Sequence, residues 1–286
     1  MWKQQLIDTE RGRFEVFRKG QGSPVCVTHH YSVFDETGDY FADSFTEDHE
    51  VFLINLRECG SSAKAEEPYE LSMLETIFDL EAIRKAIGFE RWGFAGHSTG
   101  GMLGVMYGIY HSDSLTFNII VGAAARDYFT FSTDCIYHSD HPKFDQMQGL
   151  LEQLMRSDVS TEEKDRFKIE RTKLSLHAPE KHDDFFSKGI TKQLSAKRLD
   201  FFNREVQVFD VTRKLKLTSC PTLIVCGEHD VQCPIAYSVE MHELIPHSQL
   251  IRMENSNHYP FLEEAEKFKD EFRKFRKMRD GRIKEM

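Results

Sequence analysis

The chain has no CxxC pair, no internal repeat, no low-complexity tract and no apolar run that approaches the length of a membrane span. Its six cysteines, Cys26, Cys59, Cys135, Cys220, Cys226 and Cys233, are scattered. That spacing excludes the paired thiolates of a structural zinc site or a redox motif, so no metal is expected and the thiols read as free and buried. Met1 to Leu6 carries no apolar stretch that would serve as a signal peptide, so a cytoplasmic location is expected. Basic excess is missing as well. With 37 Lys and Arg against 47 Asp and Glu, the formal charge is −10, which argues against nucleic acid or an anionic membrane as a partner.

What is present fits a globular enzyme: 286 residues, 40% hydrophobic and 29% charged, enough for one sizeable core with an inserted subdomain. Short apolar runs alternate with amphipathic stretches, the pattern of a mostly parallel sheet with helices on both faces. Pro24 to His29, Val51 to Leu56, Arg91 to His97, Leu115 to Gly122, Pro221 to Cys226 and Gln249 to Met253 read as strands. Between Leu71 and Ile87 the apolar residues recur at helical spacing, and Gly88 follows as a C-cap. From about Arg126 to Phe209 the chain is charged, rich in Phe and Tyr, and helical without strand alternation. It reads as a helical cap, residues 126–209, inserted into a core formed by residues 1–125 and 210–286. In the final segment Phe268, Phe272, Phe275 and Met278 fall on one helical stripe, which predicts a helix packed on the sheet.

The chemistry concentrates at Gly96-His97-Ser98-Thr99-Gly100, where a strand runs into a tight turn and then into a helix of small residues. A serine projecting from such a turn needs small neighbours, which Gly96 and Gly100 supply. The following helix aims backbone N–H groups, Thr99 first, at the place where an oxyanion develops in acyl transfer. A hydroxyl is a weak nucleophile and needs a base, which in turn needs an acid to fix its tautomer. Asp230 ends Gly227-Glu228-His229-Asp230 beyond one strand, and His258 lies beyond the last strand. Ser, Asp and His therefore each stand at the C-terminal end of a strand, where open α/β sheets place their ligand crevices.

In this order and context the residues resemble the α/β-hydrolase superfamily. The resemblance implies a mostly parallel eight-stranded sheet flanked by helices, with Ser98 as nucleophile, His258 as base and Asp230 as its orienting acid, and with no cofactor. Members carry His-Gly-x-Pro after the third strand, and the matching His29-His30-Tyr31-Ser32 makes Tyr31 N–H the second oxyanion donor beside Thr99. His30 replaces the glycine there and faces the pocket. The family's Arg-Gly-x-Gly-x-Ser turn stands as Arg57-Glu58-Cys59-Gly60-Ser61-Ser62, with Glu58 open between a pocket carboxylate and a surface residue.

The spacing from Gly227 through Pro234 and Pro246 to His258 is similar to the branch of proline iminopeptidases and small carboxylesterases. In the former, carboxylates bind the substrate's free amino group, a part that Glu205 would play here, although Val231 stands where a second carboxylate belongs. The expected partner is a small molecule or short peptide. Four activities stay open: ester or amide hydrolysis through an acyl-enzyme, aminopeptidase action on an N-terminal proline, lactone or carbon–carbon hydrolysis, and ligand reception without turnover.

Overall fold

The computed structural model describes residues 1–285, with side chains through Met278. The chain opens with an antiparallel hairpin, β1 (Lys3–Thr9) and β2 (Gly12–Lys19), followed by β3 (Ser23–Val27), the short β4 (Ser32–Val33), α1 (Tyr40–Asp43) and β5 (His49–Ile54). Next come α2 (Met73–Ile87), β6 (Trp92–His97), α3 (Thr99–His111) and β7 (Leu115–Val121). Four helices follow, α4 (Phe144–Met155), α5 (Thr161–Lys173), α6 (His182–Phe185) and, after the short β8 (Gln193–Leu194), α7 (Ala196–Glu205). The chain then adds β9 (Thr222–Gly227), α8 (Ile235–Leu244), β10 (Gln249–Met253), α9 (Pro260–Glu263) and α10 (Ala265–Glu285).

The main sheet has eight strands in the order β1-β2-β5-β3-β6-β7-β9-β10, antiparallel at β1-β2-β5 and parallel from β5 onward. Successive strand residues point to opposite faces, so each strand serves two cores. Cys26, Phe52, Phe94, Ile120 and Ile224 join α2, α3 and α8 on one face. Val25, Leu53, Ala95, Ile119 and Val225 join α1, α9 and α10 on the other. Each large apolar side chain buried in this way contributes about 1.5–3 kcal/mol, so both helix layers are held by the sheet rather than by their own propensity. The predicted second helix starts at Met73, where the Ser72 side chain accepts the Glu75 N–H, and ends at Gly88, which takes φ 90°.

Three features differ from the sequence reading. The hairpin β1/β2 has no alternation to read, because Ile7 is the one buried residue of β1. The segment between β7 and β9 is mostly helical, with a small apolar cluster of Ile136, Met147 and Leu174, yet it also contains β8, whose Leu194 and Gln193 pair with Ser32 and Val33. Two residues are too few for a period. On α10, Phe268, Phe272 and Phe275 are buried, whereas Met278 is 47% exposed. The 21-residue helix is about 31 Å long and overruns strands that span about 17–24 Å.

Candidate active site

The strand order reverses between β3 and β6: the chain leaves β3 for β5 on one side and then crosses to β6, β7, β9 and β10 on the other. A crevice forms outside the C-terminal ends of the strands at such a reversal. Here β3 delivers His29, His30 and Tyr31, β6 delivers Ser98, β7 delivers Gly122, β9 delivers Asp230 and β10 delivers His258.

Ser98 adopts φ 57° and ψ −124°, a conformation that a non-glycine residue holds only under constraint. The constraint is local. Ser98 N–H donates to the Val121 carbonyl at 2.8 Å, and its own carbonyl accepts Gly101 N–H at 2.8 Å. A Cβ on Gly96 would lie 2.0 Å from the Gly100 carbonyl oxygen, and one on Gly100 2.3 Å from that of Thr28, so this turn admits glycine alone at both places. Thr99 opens α3, and its N–H is one of the first-turn donors that a helix leaves without an internal acceptor.

Asp230 and His258 meet in the interior. His258 Nδ1 lies 2.9 Å from Asp230 Oδ2 and 3.1 Å from Oδ1, and both side chains are almost completely buried. Asp230 Oδ1 also accepts the N–H groups of Gln232 and Cys233, each at 2.9 Å, which fixes the carboxylate's orientation. His258 is anchored through its backbone. Its N–H donates to the Ser175 carbonyl at 3.2 Å, and its carbonyl accepts His97 Nε2–H at 2.7 Å. The adjacent Asn257 N–H donates to Glu263, which also accepts His177 N–H. Sequence reading did not single out Gly122 or Ser175. Gly122 has φ 53°, and a Cβ there would lie 2.9 Å from Asp230 Oδ2 and 3.3 Å from His258 Nδ1.

The neighbouring histidines are held neutral. Burial, reinforced by the Lys192 charge, keeps His29 well below the ordinary imidazole value, and burial with the nearby His258 does the same for His97. His29 Nε2 is 3.1 Å from Thr99 Oγ1, and its Nδ1 is 2.9 Å from Ser32 Oγ. Tyr31 packs edge-on against His29 at 4.6 Å and at a tilt against Phe202 of α7 at 5.5 Å, while its carbonyl accepts Ser195 N–H.

His30 and Glu205, expected to touch substrate, have internal partners. His30 is fully buried; its Nδ1 accepts a bond from Arg198 at 3.0 Å, and its carbonyl accepts a second from the same guanidinium. Burial, with Arg198 adding to it, lowers the His30 pKa to about 4. The Glu205 carboxylate accepts Met73 N–H at 2.9 Å at the start of α2, the favourable end of a helix for a negative charge, and stands 3.6 Å from His30 Nε2. Glu58, with φ 68°, has a side chain only 11% exposed and held by neighbours: its carboxylate accepts Ala65 N–H and pairs with Lys197 at 2.7 Å. Arg57 is structural, spanning Asp79 at 3.1 Å and the Arg11 and Lys64 carbonyls.

Comparison with known proteins identifies the fold family. An alpha/beta fold family hydrolase from Bacillus anthracis str. Sterne superimposes with a TM-score of 0.93 at 41% identity, covering 96% of this chain and 99% of that one. A proline iminopeptidase of Heyndrickxia coagulans is 25% identical over 299 aligned positions, 94% of this chain and 96% of that one. A thermophilic esterase from Thermogutta terrifontis shares the fold, with a TM-score of 0.71 at 19% identity over 97% of this chain and 99% of that one. The family model for the alpha/beta hydrolase fold matches residues 28–265. The chain belongs to the alpha/beta hydrolase fold family.

Proposed function

We propose that the protein is a carboxylesterase-like serine hydrolase that cleaves an ester or amide bond of a small, partly apolar substrate through an acyl-enzyme. The buried Asp230–His258 pair at 2.9 Å, set at the same sheet edge as the constrained Ser98 turn, carries the reading. Ser98 attacks the substrate carbonyl while His258 Nε2 takes its proton; Asp230 holds Nδ1–H and stabilises the imidazolium that forms. The oxyanion accepts the N–H groups of Thr99 and Tyr31. His258 then protonates the leaving group and activates water for deacylation. Residues 126–209 act as the lid. The six free, buried cysteines support a reducing, cytoplasmic setting.

An aminopeptidase would need carboxylates to receive an ammonium group, and Glu205 is already bonded to Met73 N–H. That observation, with Val231 after Asp230, supports the esterase-like reading. The test combines stoichiometric fluorophosphonate labelling, mapped by mass spectrometry, with rates on p-nitrophenyl esters and on proline and alanine p-nitroanilides. Label at Ser98 with ester turnover is the expected result. Dominant anilide turnover would put the aminopeptidase first, and absence of label would leave the chain a receptor that keeps the three residues without turnover. Ser98→Ala is expected to lower kcat by on the order of 10⁵ to 10⁶ with the fold intact; turnover within tenfold of the parent would remove Ser98 from the mechanism.

A further inference from the structure

Tyr31 N–H belongs to the same peptide unit as the His30 carbonyl, and across a trans peptide the two groups point in opposite directions. Whatever fixes the carbonyl therefore fixes the N–H. The His30 carbonyl accepts Nε–H of Arg198, and the same guanidinium donates through Nη2 to His30 Nδ1 at 3.0 Å, so residue 30 is gripped by main chain and side chain together. His30 stands where the resembled motif has glycine, which would offer the carbonyl alone.

The guanidinium is itself held in place. Nη1 donates to the Arg57 carbonyl at 3.2 Å, Nη2 donates also to Thr76 Oγ1 at 2.8 Å, and the side chain is fully buried. The next peptide unit is tied to the same segment of chain: the Tyr31 carbonyl accepts Ser195 N–H at 2.9 Å, Ser32 pairs with Leu194, and Ser195 Oγ in turn accepts Arg198 N–H at 3.4 Å as the cap of α7. The loop held in this way lies on the nucleophile turn. His29 Nε2 is 3.1 Å from Thr99 Oγ1, and a Cβ on Gly100 would lie 3.4 Å from His29 Cα. Among the described residues no protein acceptor is bonded to Tyr31 N–H.

A cation on a carbonyl oxygen draws the amide nitrogen's lone pair toward that oxygen and leaves the N–H on the far side more positive, because linked hydrogen bonds polarise one another. We propose that Arg198 is a positioning residue of the oxyanion hole: reaching from α7, it fixes and polarises the His30–Tyr31 peptide so that Tyr31 N–H meets the developing oxyanion already aimed. The proposal rests on the reading of Ser98 as nucleophile and Tyr31 as donor, and adds a residue that acts through the peptide rather than on the substrate.

The test follows p-nitrophenyl butyrate kinetics together with inhibition by a trifluoromethyl ketone of the same chain length. Ser98 Oγ adds to the ketone carbon, its proton passes to His258, and the former carbonyl oxygen becomes the oxyanion of a hemiketal. Arg198→Met is expected to lower kcat by roughly 10- to 100-fold and to raise the ketone's inhibition constant by a similar factor, with KM within about threefold of the parent, a smaller loss than deleting a donor outright. Arg198→Lys keeps a charge but cannot give the fork to carbonyl and imidazole, and is expected to lose roughly three- to tenfold in both. Thr76→Val takes another acceptor from the same guanidinium and is expected to keep both within about threefold, even where the urea midpoint falls. A merely structural role predicts instead that activity follows stability across the three variants and that the folded fraction of each binds the ketone as the parent does; that result overturns the proposal. If the Arg198→Met variant does not fold, Arg198→Lys decides, and parental kcat and ketone inhibition there overturn the positioning role. A parent that fluorophosphonate leaves unlabelled at Ser98 removes the nucleophile and the positioning role with it, whereas a labelled, active parent whose Arg198 variants keep parental values removes the positioning role alone.

Discussion

At the candidate active site Ser98 and Gly122 both hold a positive φ, 57° and 53°. One sits in a motif and was legible: five consecutive residues fix their own turn, so Gly96, Ser98 and Gly100 carry their meaning in the sequence. The other was not. Gly122 is required because Asp230 and His258, more than a hundred residues later, close over it, and no local pattern records such a demand. Gly122→Ala is expected to push the Asp230–His258 pair apart and lower kcat by about 10²-fold, the usual cost of displacing a reacting group by about an ångström. Steady-state kinetics of the purified variant against p-nitrophenyl butyrate would check this, and a loss under threefold would show that the pair tolerates the shift. The internal bonds of His30 and Glu205 were illegible for a related reason. A polar side chain near a crevice is ambiguous until its partners are known, and theirs are Arg198 and the α2 N-terminus.

Among elements, α7 has the deepest reach. Its Arg198 is fully buried and donates to the carbonyls of His30 and Arg57 (the latter at 3.2 Å), to His30 Nδ1 at 3.0 Å and to Thr76 Oγ1 at 2.8 Å. Burial lowers its pKa to about 10, so it stays charged at neutral pH. Arg198→Met would strand the two carbonyls, and the expected loss is about 3 kcal/mol, the scale of charge-assisted bonds and orphaned buried acceptors. Urea unfolding, with the slope unchanged and the midpoint lowered, is the measurement. Hydrogen exchange at the His258 amide, whose acceptor Ser175 follows α5, should accelerate in the same variant. The parallel strands were readable because burial on both faces makes them short, continuous apolar runs. The hairpin β1/β2 and the pairing of β8 with β4 escaped, since an edge strand with one buried residue and a two-residue ladder have too little pattern.

For the molecule as a whole, the order of events in acid follows from its buried imidazoles. His30 has a folded pKa near 4 against about 6.5 in the unfolded chain, and His29 and His97 are displaced in the same direction. Below pH 6.5 the unfolded chain takes up protons that the folded one refuses. Stability that is complete above that pH is therefore lost as the pH falls toward 4. His30 alone accounts for about 3 kcal/mol of this fall. Urea midpoints between pH 7.5 and 4.5 would check it, and His30→Gln should flatten the acid limb; an unchanged slope would mean that His30 is charged in the fold.

The carbonyl of Ser175 and the carboxylate of Glu263 have a mechanical consequence. The strip of chain bearing the imidazole hangs from the roof by one bond, His258 N–H to Ser175, and the roof's own edge at His177 rests on the carboxylate that holds Asn257. Roof and imidazole are therefore tied to each other. Under the proposed mechanism, lifting the roof to admit a guest would slacken the proposed base and lowering it would draw the base taut, so the door would also wind the spring.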